Sequence, residues 1–357
     1  MSKIKVLIVD DSAVIRQLVK DILESDPNIE VVGVASDPVF AERKIASFRP
    51  DVITLDVEMP RMDGITFLEK LMCTNPIPVV MLSSHTDRHA TETLRALELG
   101  AVDFITKPKA NIAEGIEALS EEIMAKVKAA ARANIRKKVV SALDLEVEPS
   151  HSVDKIIQRK KVIGNKANDV VIVLGASTGG TVAINDFLAL MPYNSPGIAI
   201  VQHMPEKFTK AYADRINNLV PLNVKEAENG DRVERGSALI APGGKHMLLQ
   251  RDNCGFYVEV KDGPPINRHK PSVDVLFRSA AHSAGKKAIG IILTGMGSDG
   301  AQGMLELKEA GAYNIAQDEK SCVVFGMPKA AIEKGAVDSV VPINRMPGII
   351  MQLDKAR

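Results

Sequence analysis

Two groups of residues in this chain have the types and spacing needed for chemistry. The first centres on Ser177, in the stretch VVIVLGASTGGT at residues 170–181, where an apolar run meets a glycine-bounded serine. A serine so placed can hold a phosphate, attack a carbonyl, or cap the following helix. A P-loop needs Lys and Ser/Thr after its last glycine, but Thr181 and Val182 stand there, so no cation reaches a phosphate. A dinucleotide loop needs G-x-G-x-x-G and an acid after the second strand. Here the glycines are spaced G-x-x-x-G-G, and the next strand, GIAIVQH, ends in His203. Two readings remain. Gly175-Ala176-Ser177-Thr178-Gly179 fits G-x-S-x-G, a tight strand-to-helix turn that exposes a nucleophile beside helix N–H groups able to hold an oxyanion. The same serine could simply cap the helix.

A serine hydroxyl is a weak nucleophile near neutral pH and needs a base. Of the seven histidines, His85 and His89 lie in the first third of the chain and His151 in a basic stretch. His246 falls in a hairpin pattern, His269 in the loop PPINRHKP and His282 in a helical pattern. Only His203 ends a parallel strand next to the one carrying Ser177. An orienting acid at a strand end is Asp299, in IGIILTGMGSDGA; Asp274, in KPSVDVLF, is placed instead to start a helix. The order Ser…His…Asp differs from the Ser…Asp/Glu…His of α/β-hydrolases.

The second group is acidic. Asp10 and Asp11 end the first apolar run and Asp56 the third; Ser83 ends the fourth and Lys107 the fifth. In an open parallel sheet these ends converge on one edge. Carboxylates gathered there repel one another unless a hard divalent cation, magnesium, shares them. With an ammonium and a hydroxyl at hand, such an edge can accept a phosphoryl group on a carboxylate.

The elements that must position these groups are legible as alternation. KVLIVD, VVGVAS, DVITLD, PVVMLS and DFITKP are strands too apolar for a solvated face, separated by helical patterns such as SAVIRQLVKDILES. From residue 169 the alternation resumes in DVVIVLGAS, GIAIVQH, KAIGIILTG and NIAQD, with an antiparallel hairpin around RDNCG between the second and third. The expected fold is α/β: a five-stranded doubly wound domain over 1–124, a basic linker over 125–160, and a second doubly wound parallel-sheet domain with an inserted hairpin over 161–357.

Charge divides the chain the same way. Lys plus Arg against Asp plus Glu is 13 against 21 over 1–124, 11 against 4 over 125–168, and 21 against 20 beyond, although the net charge is zero. The near-neutral C-terminal block has no DNA-reading element, which argues against a transcription factor. No apolar run is long enough for a membrane span. No signal-peptide pattern opens the chain, and Cys73, Cys254 and Cys322 match no metal or redox spacing; a cytoplasmic setting is expected.

Residues 1 to about 120 resemble a response-regulator receiver domain through IVDDS, LDVEMPRMDG, MLSS and TKP. The resemblance implies Asp56 as phosphoacceptor, magnesium on Asp10, Asp11 and Asp56, Ser83 and Lys107 as phosphate sensors, and Phe104 as the aromatic switch. A histidine kinase would be the donor. Residues 160–350 resemble the catalytic domain of chemotaxis protein-glutamate methylesterases through GASTGGT, VQHMP, APGGKHM, PPINRHKPSVDVLF, LTGMGSDGAQG and FGMPKAA. That resemblance implies Ser177, His203 and Asp299 as a triad, with Thr178 and Met296 beside it and a Met296 N–H in the oxyanion hole. It also implies a monomer that hydrolyses glutamyl γ-methyl esters, and deamidates glutamines, on methyl-accepting chemotaxis receptors. The ester chemistry needs no cofactor, and phosphorylation of the receiver relieves a block on the esterase site.

Overall fold

The apolar runs form strands because both their faces are covered. The computed structural model describes residues 3–59, 62–84, 87–107, 116–135 and 170–356. In the N-terminal unit β1 (Ile4–Val9), β2 (Ile29–Ala35), β3 (Val52–Asp56), β4 (Val79–Ser83) and β5 (Asp103–Thr106) pair in parallel in the order β2-β1-β3-β4-β5. Helices α1 (Ala13–Glu24), α2 (Pro38–Phe48), α3 (Gly64–Thr74), α4 (Asp87–Leu99) and α5 (Ile116–Ala130) connect and flank them. Their starts follow local chemistry. Asp37 caps α2 by accepting from the N–H groups of Val39 and Phe40, with Pro38 in the first turn, and Asp63 caps α3 through Thr66. Gly64 is required by space, since a Cβ there would lie 1.9 Å from the carbonyl oxygen of Asp56.

The C-terminal unit is built on β6 (Val171–Ala176), β7 (Gly197–Gln202), β8 (Asn223–Glu226), β9 (Ser237–Ile240), β12 (Ala288–Ile292), β13 (Tyr313–Gln317) and β14 (Ser339–Val341). They form one parallel sheet in the order β14-β13-β12-β6-β7-β9-β8. Its helices are α6 (Gly180–Ala189), α7 (Phe208–Asn217), α8 (Val273–Ser283), α9 (Ala301–Glu309), α10 (Met327–Glu333) and α11 (Met346–Ala356). The hairpin is β10 (His246–Asp252) with β11 (Gly255–Lys261), a separate two-stranded sheet against α8. Strands β8, β9 and β14 were not expected from the sequence. The chain leaves β6 towards β7 on one side, while β12 continues towards β13 on the other. The switch point where ligands bind in such sheets therefore lies between β6 and β12.

One expected boundary moves. Helix α5 continues beyond residue 124 to Ala130, and Val127 and Ala130 are buried in the core of the N-terminal unit, so residues 125–130 belong to this helix and not to a connector. Residues 131–135 follow the helix, and the rest of the expected linker, 136–160 with His151, lies outside the described residues, as does His85.

The two units share an apolar cluster in which Ala90, Leu94 and Leu97 of α4 join Phe208 and Tyr212 of α7. Phe104 of β5 stacks on Phe208, ring centroids 4.7 Å apart. The face made by α4, β5 and α5 thus lies on the C-terminal unit.

Candidate active site

Ser177 is the first residue beyond β6, the central strand. Its N–H donates to the Thr294 carbonyl at 3.1 Å, and its own carbonyl accepts from Gly180 N at 2.6 Å and Gln202 Nε2 at 3.0 Å. The main chain at this position is held by the ends of two neighbouring strands. The serine does not cap the next helix: Gly179 is the N-cap of α6, at φ +76° and with no side-chain cap bond. A Cβ on Gly179 would also stand 2.6 Å from Val323, so glycine is needed for both angle and space. The helix-cap reading fails, and Ser177 Oγ is left for other work. A Cβ on Gly295 would lie 2.9 Å from Ser177 Cβ, which brings the turn carrying half-buried Met296 against the serine.

His203 follows β7, the adjacent strand, and its N–H donates to the Ala176 carbonyl at 3.1 Å. Its Nε2 lies 2.8 Å from Asp299 Oδ2. Asp299 is 1% exposed. Its Oδ2 also accepts from Val273 N at 2.7 Å, and its Oδ1 from Ser272 Oγ at 2.8 Å and Asn267 Nδ2 at 2.9 Å. Burial alone would raise the pKa of this carboxyl; the bonds and charge of His203, with the donors of Asn267 and Val273, outweigh it and hold the group well below the usual carboxylate range. An ionised acceptor fixes the imidazole tautomer. Nε2 carries the proton, and Nδ1, which is buried and lacks a hydrogen-bond partner among the described residues, keeps a lone pair. Asp274 starts α8 as expected and is engaged elsewhere, by Asn267 Nδ2 at 2.6 Å and Gly303 N at 2.6 Å.

Two contributors were not legible in the sequence. His269 stacks on His203 with centroids 3.7 Å apart and planes 10° apart. Burial, with the neighbouring His203, pulls its pKa down to about 4, so it is an uncharged plate near neutral pH. Asn267 ties Asp299 to Asp274. The only sequence signal was the proline-flanked loop PPINRHKP, which fixes no side-chain direction.

Thr178 is 4% exposed, and its Oγ1 donates to Asp103 Oδ2 of β5, so the residue after the serine is covered by the N-terminal unit. Lys126 of α5 lies 3.3 Å from Asp103, and its charge sits 5.2 Å from the centre of the Phe104 ring.

The acidic edge of the N-terminal unit assembles as well. Oxygens of Asp10, Asp11 and Asp56 lie within 4.8 Å of one another. Lys107 Nζ is 2.8 Å from Asp10 Oδ2 and 2.7 Å from Asp56 Oδ1. Ser83 is buried, and its Oγ accepts from Thr93 at 2.7 Å. Burial pushes Asp56 up to about 6, with Asp10's charge adding to the effect and Lys107 opposing it. An all-oxygen, anionic donor set of this kind fits a hard divalent cation.

A stability consequence follows from Asp56. Its folded pKa lies above the ordinary value of 3.8. The ionised group is therefore better accommodated in the unfolded chain, and stability is lost as pH rises through that interval. Asp56→Asn should be more stable than the parent protein by up to ~3 kcal/mol above about pH 6, with the gap closing towards pH 4. Millimolar magnesium should narrow it at neutral pH by stabilising the parent. Urea melts at three pH values check this; a gap that widened towards acid would refute it.

Both units resemble known proteins. A family model described as CheB methylesterase matches residues 172–350, and one described as response regulator receiver domain matches residues 6–120. A Geobacter metallireducens protein-glutamate methylesterase/protein-glutamine glutaminase is 56% identical over 96% of this chain and 94% of its own. A protein of the same description from Methylobacillus flagellatus is 53% identical over 98% and 96%. The crystal structure of the Thermotoga maritima CheB methylesterase catalytic domain superposes with a TM-score of 0.50 at 40% identity, covering 52% of this chain and 98% of that one. Among the described residues, no helix is long and apolar enough to cross a membrane.

Proposed function

The chain belongs to the CheB methylesterase family and carries a receiver domain ahead of the catalytic unit, and from that premise we propose that it hydrolyses glutamyl γ-methyl esters on chemotaxis receptors, and deamidates receptor glutamines, under control of phosphorylation at Asp56. The observation that carries this reading is the His203 Nε2–Asp299 Oδ2 bond beside an uncapped Ser177 on neighbouring strand ends. His203 Nδ1 takes the proton of Ser177 Oγ as that oxygen attacks the ester carbonyl. The imidazolium, balanced by Asp299, returns the proton to the departing methoxide, giving methanol and an acyl-serine. Water then attacks the acyl carbon as it loses a proton to Nδ1; the imidazolium passes that proton to the departing Ser177 Oγ, which frees the glutamate carboxylate and restores the serine. N–H groups at the start of α6 and at Met296 stabilise the tetrahedral oxyanion. For a glutamine the leaving group is ammonia.

Control follows from where the receiver lies. Asp103 holds Thr178, and Phe104 stacks on Phe208, so the unphosphorylated receiver covers the residue next to the nucleophile. Asp10, Asp11 and Asp56 would hold magnesium, which would supply positive charge beside the carboxylate that receives a phosphoryl group from a histidine kinase. Lys107 and Ser83 then bond that group. Moving Ser83 towards it draws Phe104 away from Phe208 and biases the two units apart. The setting is the cytoplasm, and the receptor is the substrate. The receiver ends with α5, and the connector follows it.

The test is methanol release from membranes bearing methylated receptors. Magnesium and a small acyl phosphate should raise the rate by roughly tenfold or more, and Asp56→Asn should stay at the unstimulated rate. Equal stimulation of both proteins would overturn the control, and no methanol from either would overturn the esterase reading.

A further inference from the structure

The turn that supports the catalytic groups carries a cation whose partner belongs to the other unit. Ile266 and His269 exchange N–H···O bonds of 3.0 and 2.9 Å, closing a two-residue turn at Asn267 and Arg268. Both central residues have left-handed backbone, φ +51° and +68°, a conformation that favours glycine, so this chain holds a large side chain where a small one would be less strained. The neighbours of Arg268 are spoken for, Asn267 by Asp299 and His269 by the His203 ring. Arg268 makes no such contact. Its side chain is 80% exposed and its guanidinium lies 2.8 Å from Glu121 of α5. An exposed pair of this kind contributes little to holding two units together.

Glu121, Glu98 and Asp103 of the receiver meet donors of the catalytic unit, Arg268, Arg215 and Thr178 respectively. The closed receiver therefore sets carboxylates against donors of the catalytic unit, and two of these donors adjoin the site: Thr178 follows Ser177, and Arg268 lies between Asn267 and His269. The substrate offers the same chemistry, because each turnover leaves a glutamate carboxylate on the receptor segment beside any remaining ester. We propose that Arg268 is a substrate-docking residue that binds a carboxylate of the acidic receptor segment near the ester, and that Glu121 occupies its place in the closed state. The inference rests on the esterase reading. It makes Arg268 a positioning residue for the receptor and gives it no part in the chemistry of a small ester. Guanidinium geometry suits a carboxylate in two-point contact, so lysine replaces it only in part.

The test compares Arg268→Gln, Arg268→Lys and Glu121→Gln in the full-length protein with magnesium and acyl phosphate. The substrates are a methylated receptor fragment and the neutral N-acetylglutamyl γ-methyl ester amide. Arg268→Gln should raise KM for the fragment about tenfold with kcat little changed and should flatten the salt dependence of kcat/KM. It should leave the small ester unaffected. Arg268→Lys should recover part of the loss. Glu121→Gln should raise only the rate without acyl phosphate. If Arg268→Gln did no more than Glu121→Gln, Arg268 would be a brake contact only and the inference would be wrong. It would be equally wrong if activity on the small ester fell in step, since the turn would then be acting through His269 and Asn267. Failure of the unsubstituted protein to release methanol from either substrate would instead remove the esterase reading beneath it.

Discussion

Ser177→Ala is expected to lower methanol release from methylated receptors by on the order of 10⁴-fold or more while leaving the fold intact. The substitution deletes one hydroxyl. The contacts that shape the turn, to Thr294, Gly180 and Gln202, are made by the main chain at residue 177 and survive. No helix cap is lost, because Gly179 occupies that position. In the closed state Thr178 cannot take over, since its hydroxyl is buried and donates to Asp103. The melting curve should therefore overlay that of the parent protein, which separates a chemical loss from a folding one. Undiminished methanol release would end the assignment of Ser177 as nucleophile.

Asp299→Asn should cost a similar factor, about 10⁴ in kcat, for a different reason. The carboxylate accepts from His203, Asn267, Ser272 and Val273 together. An amide has one acceptor oxygen, and its NH₂ must face groups that are themselves donors. If the oxygen serves Asn267 and Ser272, the NH₂ turns to His203, and Nε2 must then be the acceptor. That inverts the tautomer and places the proton on Nδ1, where the lone pair is needed. This variant should also lose stability, because buried donors are left unpaired. The comparison is with Asp274→Asn, whose carboxylate meets Asn267 and Gly303 but not His203. Its kcat should fall far less. Equal losses would show that both carboxylates act only by holding the Asn267 turn.

Much of this arrangement was legible because parallel sheets obey a simple rule. Side chains at the C-terminal ends of parallel strands share an edge, so Ser177 and His203, and likewise Asp10 and Asp56, could be placed together from apolar runs alone. The limits of the reading have physical causes. NVKE and SVV form β8 and β14 at the margins of the sheet, too short and too exposed to carry an apolar signature. SALI, read with the hairpin region, is β9 of the main sheet, because its neighbours β7 and β8 come from earlier in the chain. Which imidazole nitrogen meets Asp299 has no trace in spacing. Asn267 and His269 owe their roles to left-handed turn geometry that no periodic pattern announces. Phe208 looks like any apolar residue at the start of a helix; only the packing of the units reveals that it meets Phe104.

Whether Ser177 is a nucleophile activated by His203 and gated by the receiver can be read with a phosphonate analogue of a glutamyl methyl ester, which reacts irreversibly with a base-activated serine. The full-length protein is treated with and without magnesium and acyl phosphate, and the site of attachment is read by peptide mass spectrometry. A single adduct on Ser177 is expected, formed faster when Asp56 is phosphorylated and nearly absent in His203→Gln. Attachment elsewhere, or labelling of Ser177 at the same rate in His203→Gln, would contradict that role.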